Sequence, residues 1–507
     1  MESFPWWSEE HKKLAAEIEA FAERSMPRAE EAWWKREIPL DLFSEIVPLG
    51  FLRAGIPKEY GGAGLGATGA SIIMEGMSCL PGVLFGFVGG AMLGGLHQIS
   101  EFGSEDQKRK FLSRICKGEP GVISITEASA GTDAAAIETV ARRNGDHYML
   151  SGKKRFNTGA GTGKRYMLYA RTSNDPEQIA RYQHLTGFIV EKGMRGFTVE
   201  KVTEVIGFEN VQNGYLNLDE VRVPIENRIG EEGEGWEVMT SGLNFERTLI
   251  SAQSLGMLWL ALRAVVAYAQ RRIQFERPTI DFVNNQLRIA DLFSNYKIMR
   301  MITYYSAYLF DSGKEPTLES SISKVFNAEK CFESVQDAIQ VMGGDGLTKF
   351  YPLERLLREA KVNQIAGGTS DAIKLHIYRA GLRQMANDLN MPHRIIHREL
   401  GVPVSMFGKP EKQSQIDEDR LLGILAEDYR VNPGLHMKLD DLKDYFNVDD
   451  QTLGKLLIAL EEKGFVKLYR RKKQIEMVKA THEGLKKAHP PEYYRWFPSW
   501  VKEENIF

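Results

Sequence analysis

Glu246 lies in the segment LNFERTLIS (243–251), and the residues three and four positions from it are Gly242, Leu243, Leu249 and Ile250. On a helix those spacings share one face, so the carboxylate falls on an apolar stripe with no basic neighbour along it. Burial without a partner raises a carboxyl pKa, and a carboxylate so tuned suits proton abstraction from a weak carbon acid. The alternative is a glutamate neutralised by an arginine from another helix. Arg247 follows in sequence and points to a different face, where either a ligand or a surface salt bridge would occupy it.

Four further segments combine glycine with hydroxyl or amide side chains. ISITEASAGTDAAAIET (123–139) and SGKKRFNTGAG (151–161) offer Thr126, Thr132 and Thr158 on strand ends and tight turns. QVMGGDG (340–346) would let backbone approach a diphosphate at Gly343 and Gly344, with Gln340 beside it, although such a run also ends helices. NQIAGGTSD (363–371) is a second glycine pair, Gly367-Gly368, followed by Thr369 and Asp371.

The elements that carry these segments follow from periodicity. Residues 1–118 read as a helical domain, with Leu14, Ile18 and Phe21, then Leu42, Phe43 and Ile46, at helical spacing. From 119 to 232 the period becomes two, in HYMLSG, RYMLYAR, TGFIVEK, FTVEKV and GYLNLDEVRV, with turns at Asn144-Gly145 and Lys192-Gly193. Long helical patterns resume over 233–390 and predict a four-helix bundle. Residues 391–416, rich in Pro, Gly, His and Lys, read as a linker, and 417–507 form a separate unit. The fold class is therefore α+β and multidomain.

Composition narrows the function. A chain of 507 residues needs several cores. A net charge of −3 provides no general field for nucleic acid or acidic lipid. Cys79, Cys116 and Cys331 lie far apart without histidine pairs, so neither a disulfide framework nor a metal site is expected, and a reducing cytoplasm fits. The N-terminal segment lacks the order of a secretory signal. The uncharged run 79–96 contains six glycines and a proline, and reads as a buried or cavity-lining segment rather than a membrane span.

Taken in order, these segments resemble the acyl-CoA dehydrogenase family over residues 8–388. GIPKEYGGAGLG (55–66) is similar to its loop after the second helix, 123–139 to its flavin loop with Ala128 and Thr132 at variant positions, and 151–161 to the next strand and turn with Phe156 in place of a common tryptophan. RRIQFERP (271–278) and QVMGGDG resemble its adenine and pyrophosphate contacts, and 363–371 its last active-site loop. The resemblance implies a helical domain, a β-barrel-like domain and a four-helix bundle, with FAD as cofactor. It further implies that Thr126 and Thr158 hydrogen-bond the flavin, that Phe156 packs beside it, and that Thr132, Thr369 and Asp371 belong to its binding loops. Arg272 and Phe275 would grip FAD across a subunit interface from Gln340 and Gly344, so a homodimer or homotetramer is implied. Many members carry a catalytic glutamate in the last loop; here Gly367 stands there, and Glu246 resembles the alternative position of the isovaleryl-CoA and long-chain branch. The expected chemistry is α,β-dehydrogenation of an acyl-CoA thioester. Glu246 would take the α-proton, the Gly367 N–H would bind the thioester oxygen and Arg247 would lie near the coenzyme A arm, with an electron-transferring flavoprotein as partner. The competing readings are a flavin-fold regulator acting through the C-terminal unit, and an enoyl-CoA reductase or oxidase.

In that last unit, DEDRLLGILAED, LDDLKDYF and DDQTLGKLLIALEEKG read as helices, and FVKLYR and QIEMVKA as strands around the basic turn Arg470–Lys473. The pattern resembles winged-helix domains of bacterial repressors. Asp449 and Asp450 begin the helix that would read DNA, which disfavours phosphate and favours a protein-binding or regulatory role. The aromatic tail YYRWFPSW (493–500) is expected to pack onto something.

Overall fold

Ser8 opens helix α1 (Glu9–Trp34) by accepting a hydrogen bond from His11 N, and Leu14, Ile18 and Phe21 turn one face of that helix into the core. Helix α2 (Leu40–Ile46) buries Leu42, Phe43 and Ile46, as their spacing predicts. α3 (Gly66–Met77) is covered almost all round, and α4 (Leu96–Phe102) follows. The structure, a computed structural model, describes residues 1–81, 88–208, 211–385, 416–431, 434–446, 448–471 and 473–488. The run 79–96 is mostly buried on both sides of its undescribed centre. The chain forms two compact units, Met1–Gly381 and Leu382–Phe507.

The middle of the first unit is one eight-stranded sheet. Its strands are β1 (Gly121–Ser124), β2 (Val140–Asn144), β3 (His147–Asn157), β4 (Arg165–Arg171), β5 (Leu185–Glu191), β6 (Phe197–Thr203), β7 (Asn213–Pro224) and β8 (Arg228–Ile229). They run in the order β6-β7-β3-β2-β4-β5-β8, and β1 pairs in parallel with β4. RYMLYAR and LTGFIVE are buried along nearly their whole length, so both faces of β4 and β5 are covered.

Helix α5 (Gly235–Ala269) runs through the middle of the helical bundle. It is long and apolar enough to cross a membrane, yet 72% of its most apolar window is buried inside the protein. Gly256 brings it against α3, because a Cβ there would lie 1.9 Å from Glu75 O and 2.0 Å from Ser78 Oγ. A hairpin of β9 (Ile273–Gln274) and β10 (Arg277–Pro278) leads to α6 (Val283–Asp311), α7 (Thr317–Met342), α8 (Leu353–Asn363) and α9 (Ser370–Gln384). Among the described residues this region has five helices, one more than expected, because the glycine turn at 367–368 separates α8 from α9. Between α3 and α6, buried Glu75 accepts from Arg300 Nε (2.9 Å), Tyr296 (2.9 Å) and Tyr304 (2.6 Å). Such a pair is tolerated in low dielectric because every oxygen is satisfied.

The second unit orders its elements as α10 (Glu418–Val431), β11 (Met437–Lys438), α11 (Leu439–Phe446), α12 (Asp450–Glu462), β12 (Val466–Arg471), β13 (Gln474–Ala480) and α13 (His482–Ala488). Its sheet runs β11-β13-β12 over a separate core of Leu421, Leu425, Leu442, Leu453, Leu457 and Val478. The expected linker after residue 391 and the aromatic tail at 493–500 lie outside the described residues, apart from Ile416 at the linker's end.

Candidate active site

Side chains from three elements meet above one turn. Gly367, at φ +66°, and Gly368, at φ +100°, form the connection between α8 and α9 in a backbone region that L side chains rarely adopt. A Cβ placed on Gly367 would lie 2.9 Å from Ile250 Cδ1 and 3.7 Å from Glu246 Oε1. The α5 carboxylate therefore fills the space over the turn in which a side chain at 367 would sit.

Burial pushes the Glu246 carboxyl up to about 7, against the opposing pull of Arg247 and Lys324. The residue as a whole keeps intermediate exposure, so the carboxyl is recessed rather than sealed. Among the described residues Glu246 has no ion pair, which removes the reading of a glutamate neutralised by an arginine from another helix. His97 stacks on Phe245 at 5.1 Å and 11° and shares a 2.9 Å hydrogen bond with Ser241 Oγ; burial lowers it to about 4, so it adds no charge.

Arg247 departs from its expected place. It sits within the site rather than on another face, because its long side chain reaches round the helix to donate to Asn244 Oδ1 (2.9 Å), Ser321 Oγ (3.4 Å) and Gly367 O (3.4 Å). Among the described residues it makes no salt bridge. Asn244 passes the contact on to Glu315 Oε1 at 2.7 Å. Lys324 on α7 was not singled out from the sequence. Its Nζ donates to Gly368 O at 2.6 Å, and burial lowers it to about 8. One signal was available: the residues three and four away are Ser320, Ser321, Asn327 and Ala328, a small uncharged face with no acid to hold a surface lysine. A further buried group, Gln253, lies two turns along the stripe of Glu246 with neither end of its amide bonded.

The loops expected to hold a flavin are joined by Arg155 N donating to Thr126 O at 2.8 Å. They are stiffened beneath by Lys154 Nζ, which donates to Glu127 Oε1 (2.6 Å) and Ile125 O (3.1 Å). Among the described residues the hydroxyls of Thr126, Thr132 and Thr158 have no hydrogen-bond partner. Phe156 stands at φ +58°, half exposed, with Arg155 over its ring at 4.4 Å. Thr369 Oγ1 caps α9 by accepting from Ala372 N at 3.3 Å, and Asp371 is exposed on that first turn. Arg272, Gln340 and Gly344 are all exposed, and nothing lies within 4 Å of a Cβ on Gly343 or Gly344. Phe275 is 89% exposed on a two-residue turn in which both it and Glu276 have positive φ. A cavity of about 370 Å³ beside the 123–139 segment is lined by Asp133, Ala135, Arg171, Ile179, Tyr182 and His184 among others.

Three family profiles match this chain, described as the N-terminal, middle and C-terminal domains of acyl-CoA dehydrogenase, over residues 8–119, 122–221 and 233–382. The chain belongs to the acyl-CoA dehydrogenase family. An acyl-CoA dehydrogenase of Bacillus subtilis is 32% identical over 73% of this chain and 97% of its own length. An acryloyl-CoA reductase (NADH) of Anaerotignum propionicum is 33% identical over 74% of this chain and 94% of its own. A solved chain from work on the electron transferring flavoprotein of Acidaminococcus fermentans is 32% identical, with a TM-score of 0.71 over 75% of this chain and 100% of that one. The family's cofactor is FAD, and the unpartnered hydroxyls of Thr126 and Thr158 and the open glycines at 343–344 fit such a group.

A carboxyl held near 7 when folded but near 4.5 when unfolded binds its proton more tightly in the folded state. Its penalty is therefore small at pH 5 and grows as pH rises through 7. Glu246→Gln is expected to stabilise the fold at pH 8 by about 1–2 kcal/mol, allowing for partial exposure, and to change it little at pH 5. Urea midpoints at the two pH values check this, and a variant equally stable or weaker at pH 8 would refute the buried ionisation.

Proposed function

We propose that this flavoenzyme removes hydrogen across the α,β bond of an acyl-CoA thioester, with Glu246 as the base. The observation that carries this is the Glu246 carboxylate lying over Gly367, raised to about 7 by burial. Abstraction of a proton α to a thioester is efficient when base and carbon acid approach each other in pKa. The recessed carboxyl meets half of that requirement. Among the described residues the Gly367 N–H has no acceptor within the chain, so it is free to donate to the thioester oxygen where negative charge develops. FAD supplies the two-electron acceptor for the β-hydrogen. Thr126 and Thr158 would hold its ring, with Phe156 beside it, while Thr132, Thr369 and Asp371 lie on the loops that would surround it. Arg171, in the cavity beside the flavin loop, suits the phosphates of the coenzyme A handle.

The reverse reaction is the second reading. At neutral pH a carboxyl near 7 is present in both forms, so the same residue can return a proton to the α-carbon of an enoyl-CoA, and the reductase from Anaerotignum propionicum supports that direction. An electron-transferring flavoprotein as redox partner is supported by the solved chain from Acidaminococcus fermentans.

Phe275 and Phe350, 89% and 92% exposed, and Ile298, Met301, Tyr305 and Tyr308, exposed at alternating spacings of three and four along α6, support a homo-oligomer. In it Arg272 and Phe275 would complete the FAD site beside Gln340 and Gly344 of another copy. In the second unit, the element order and three-stranded sheet support a winged-helix-like domain. Asp449 caps α12 by accepting from Thr452 N at 2.9 Å, Lys443 is held by Asp440 and Asp450, and Arg470 by Glu461. With its acids at the helix start and its wing arginine engaged, this unit suits a protein partner better than DNA.

Anaerobic addition of butyryl-, isovaleryl- and octanoyl-CoA to the yellow protein is expected to bleach the flavin with at least one of them. The rate should rise with pH through about 7 as Glu246 ionises. Glu246→Gln should keep FAD and ligand but slow bleaching by about a thousandfold, within the range for a lost proton-transfer group; retained activity would refute the base. Light scattering should give a multiple of the 57.4 kDa chain, and a monomeric holoprotein would overturn the shared site. On duplex DNA at low salt no mobility shift is expected, whereas a salt-sensitive shift would overturn the protein-partner reading.

A further inference from the structure

The turn beneath the base cannot hold its own shape. Gly367 and Gly368 both lie at positive φ, and among the described residues no backbone N–H reaches the carbonyl of either. One backbone bond, Ser370 N to Gln364 O at 2.9 Å, closes the five residues between them. The two carbonyls are taken instead by cations from different helices, Gly367 O by Arg247 Nε at 3.4 Å and Gly368 O by Lys324 Nζ at 2.6 Å.

Lys324 is fully buried, and among the described residues no carboxylate lies within 4 Å of its ammonium. Removing an ammonium from water is expensive, so a lysine in this position is explained by what its one short, charge-assisted bond holds in place. We propose that Lys324 is a positioning residue, whose ammonium clamps the Gly367–Gly368 turn from beneath and keeps the Gly367 N–H directed at the thioester oxygen.

Because the peptide unit is planar, fixing a carbonyl fixes the following N–H opposite to it. Both peptide planes after Gly367 are anchored in this way, and before it Ala366 N is bonded to Val362 O at 2.9 Å. The peptide that carries the Gly367 N–H, between Ala366 C=O and Gly367 N, makes no bond of its own among the described residues and is confined by these anchored neighbours on either side. The clamp rests on the reading of Glu246 as base, and its charge adds a second, separable effect. The charged and titratable groups acting on Glu246 are Arg247 on its own helix, Lys324 on α7 and the buried phenol of Tyr169 on β4. Both cations favour the carboxylate, so loss of one raises the pH at which it ionises.

The test compares three variants of the FAD-loaded protein, using whichever of the three thioesters above bleaches wild type fastest. Lys324→Met should lower the bleaching rate by about a hundredfold, the cost of a misplaced reacting group, with less than about a threefold change in thioester KM. Its acid limb should move to higher pH, and amide hydrogen exchange should quicken in a peptide covering residues 364–370. Lys324→Arg keeps charge and donor and should restore most of the rate. Lys324→Gln keeps a donor without the charge, so it should retain protection at 364–370 yet still show the moved limb; it decides the matter if Lys324→Met fails to fold. Unchanged exchange in Lys324→Met, or an unmoved limb in Lys324→Met or Lys324→Gln, would overturn the proposal. A wild-type rate without any acid limb would instead remove the base assignment, and the clamp with it.

Discussion

The site depends on the energetic conflict of a carboxylate withdrawn from water without a neutralising partner. Glu246 sits on the apolar stripe of α5 against Ile250, and the nearby cations spend their hydrogen bonds on the glycine turn. In water a glutamate is too weak a base for a thioester α-carbon, and with a directly paired arginine it would be weaker still. The bundle solves this by separating charge from contact. Arg247 and Lys324 stabilise the ionised form from a distance while bonding to carbonyls. The tight packing of α5 on α3 at Gly256, and the Glu75 and Arg300 pair behind it, keep the helix in position.

Much of this arrangement can be read from residue types and spacing. The apolar neighbours of Glu246 at three and four positions, the absence of a side chain at 367 and the order of five motif segments suffice to bring the Glu246 carboxyl and the 367–368 turn together. The change of period near residue 119 marks the sheet, and the runs RYMLYAR and LTGFIVE, buried on both faces, lie in its interior. What periodicity misses is reach. Arg247 lies one position from Glu246, about 100° round the helix, and so belongs by periodicity to another face, yet a guanidinium on a long stem returns to the same site. Lys324 lies 78 residues from the base by sequence number and declares itself only through the small residues around it. Its acceptor is a backbone carbonyl, which no side-chain pattern records.

The surface repeats the theme of features that make sense only with something bound. A phenylalanine displayed at the tip of a strained two-residue turn is unfavourable for an isolated chain, both for its backbone and for its exposed ring. The hydroxyls of Thr126 and Thr158 similarly lack partners within their own loops. These local violations of good packing coincide with the segments that resemble nucleotide contacts. In the second unit the opposite holds, since Arg470 beside the basic turn is already bonded to Glu461 and the start of α12 is already capped.

Mounting the acid group on a helix also changes what the cleft can tolerate. A carboxylate carried by a flexible lid would retreat whenever that lid lifts to admit a bulkier guest. Here it belongs to the wall, held by the hydrogen-bond ladder of a 35-residue rod, and the glycine turn at the rim contributes only main chain. The opening can therefore widen, and the rim can change its length or composition over evolutionary time, without moving the Glu246 carboxylate.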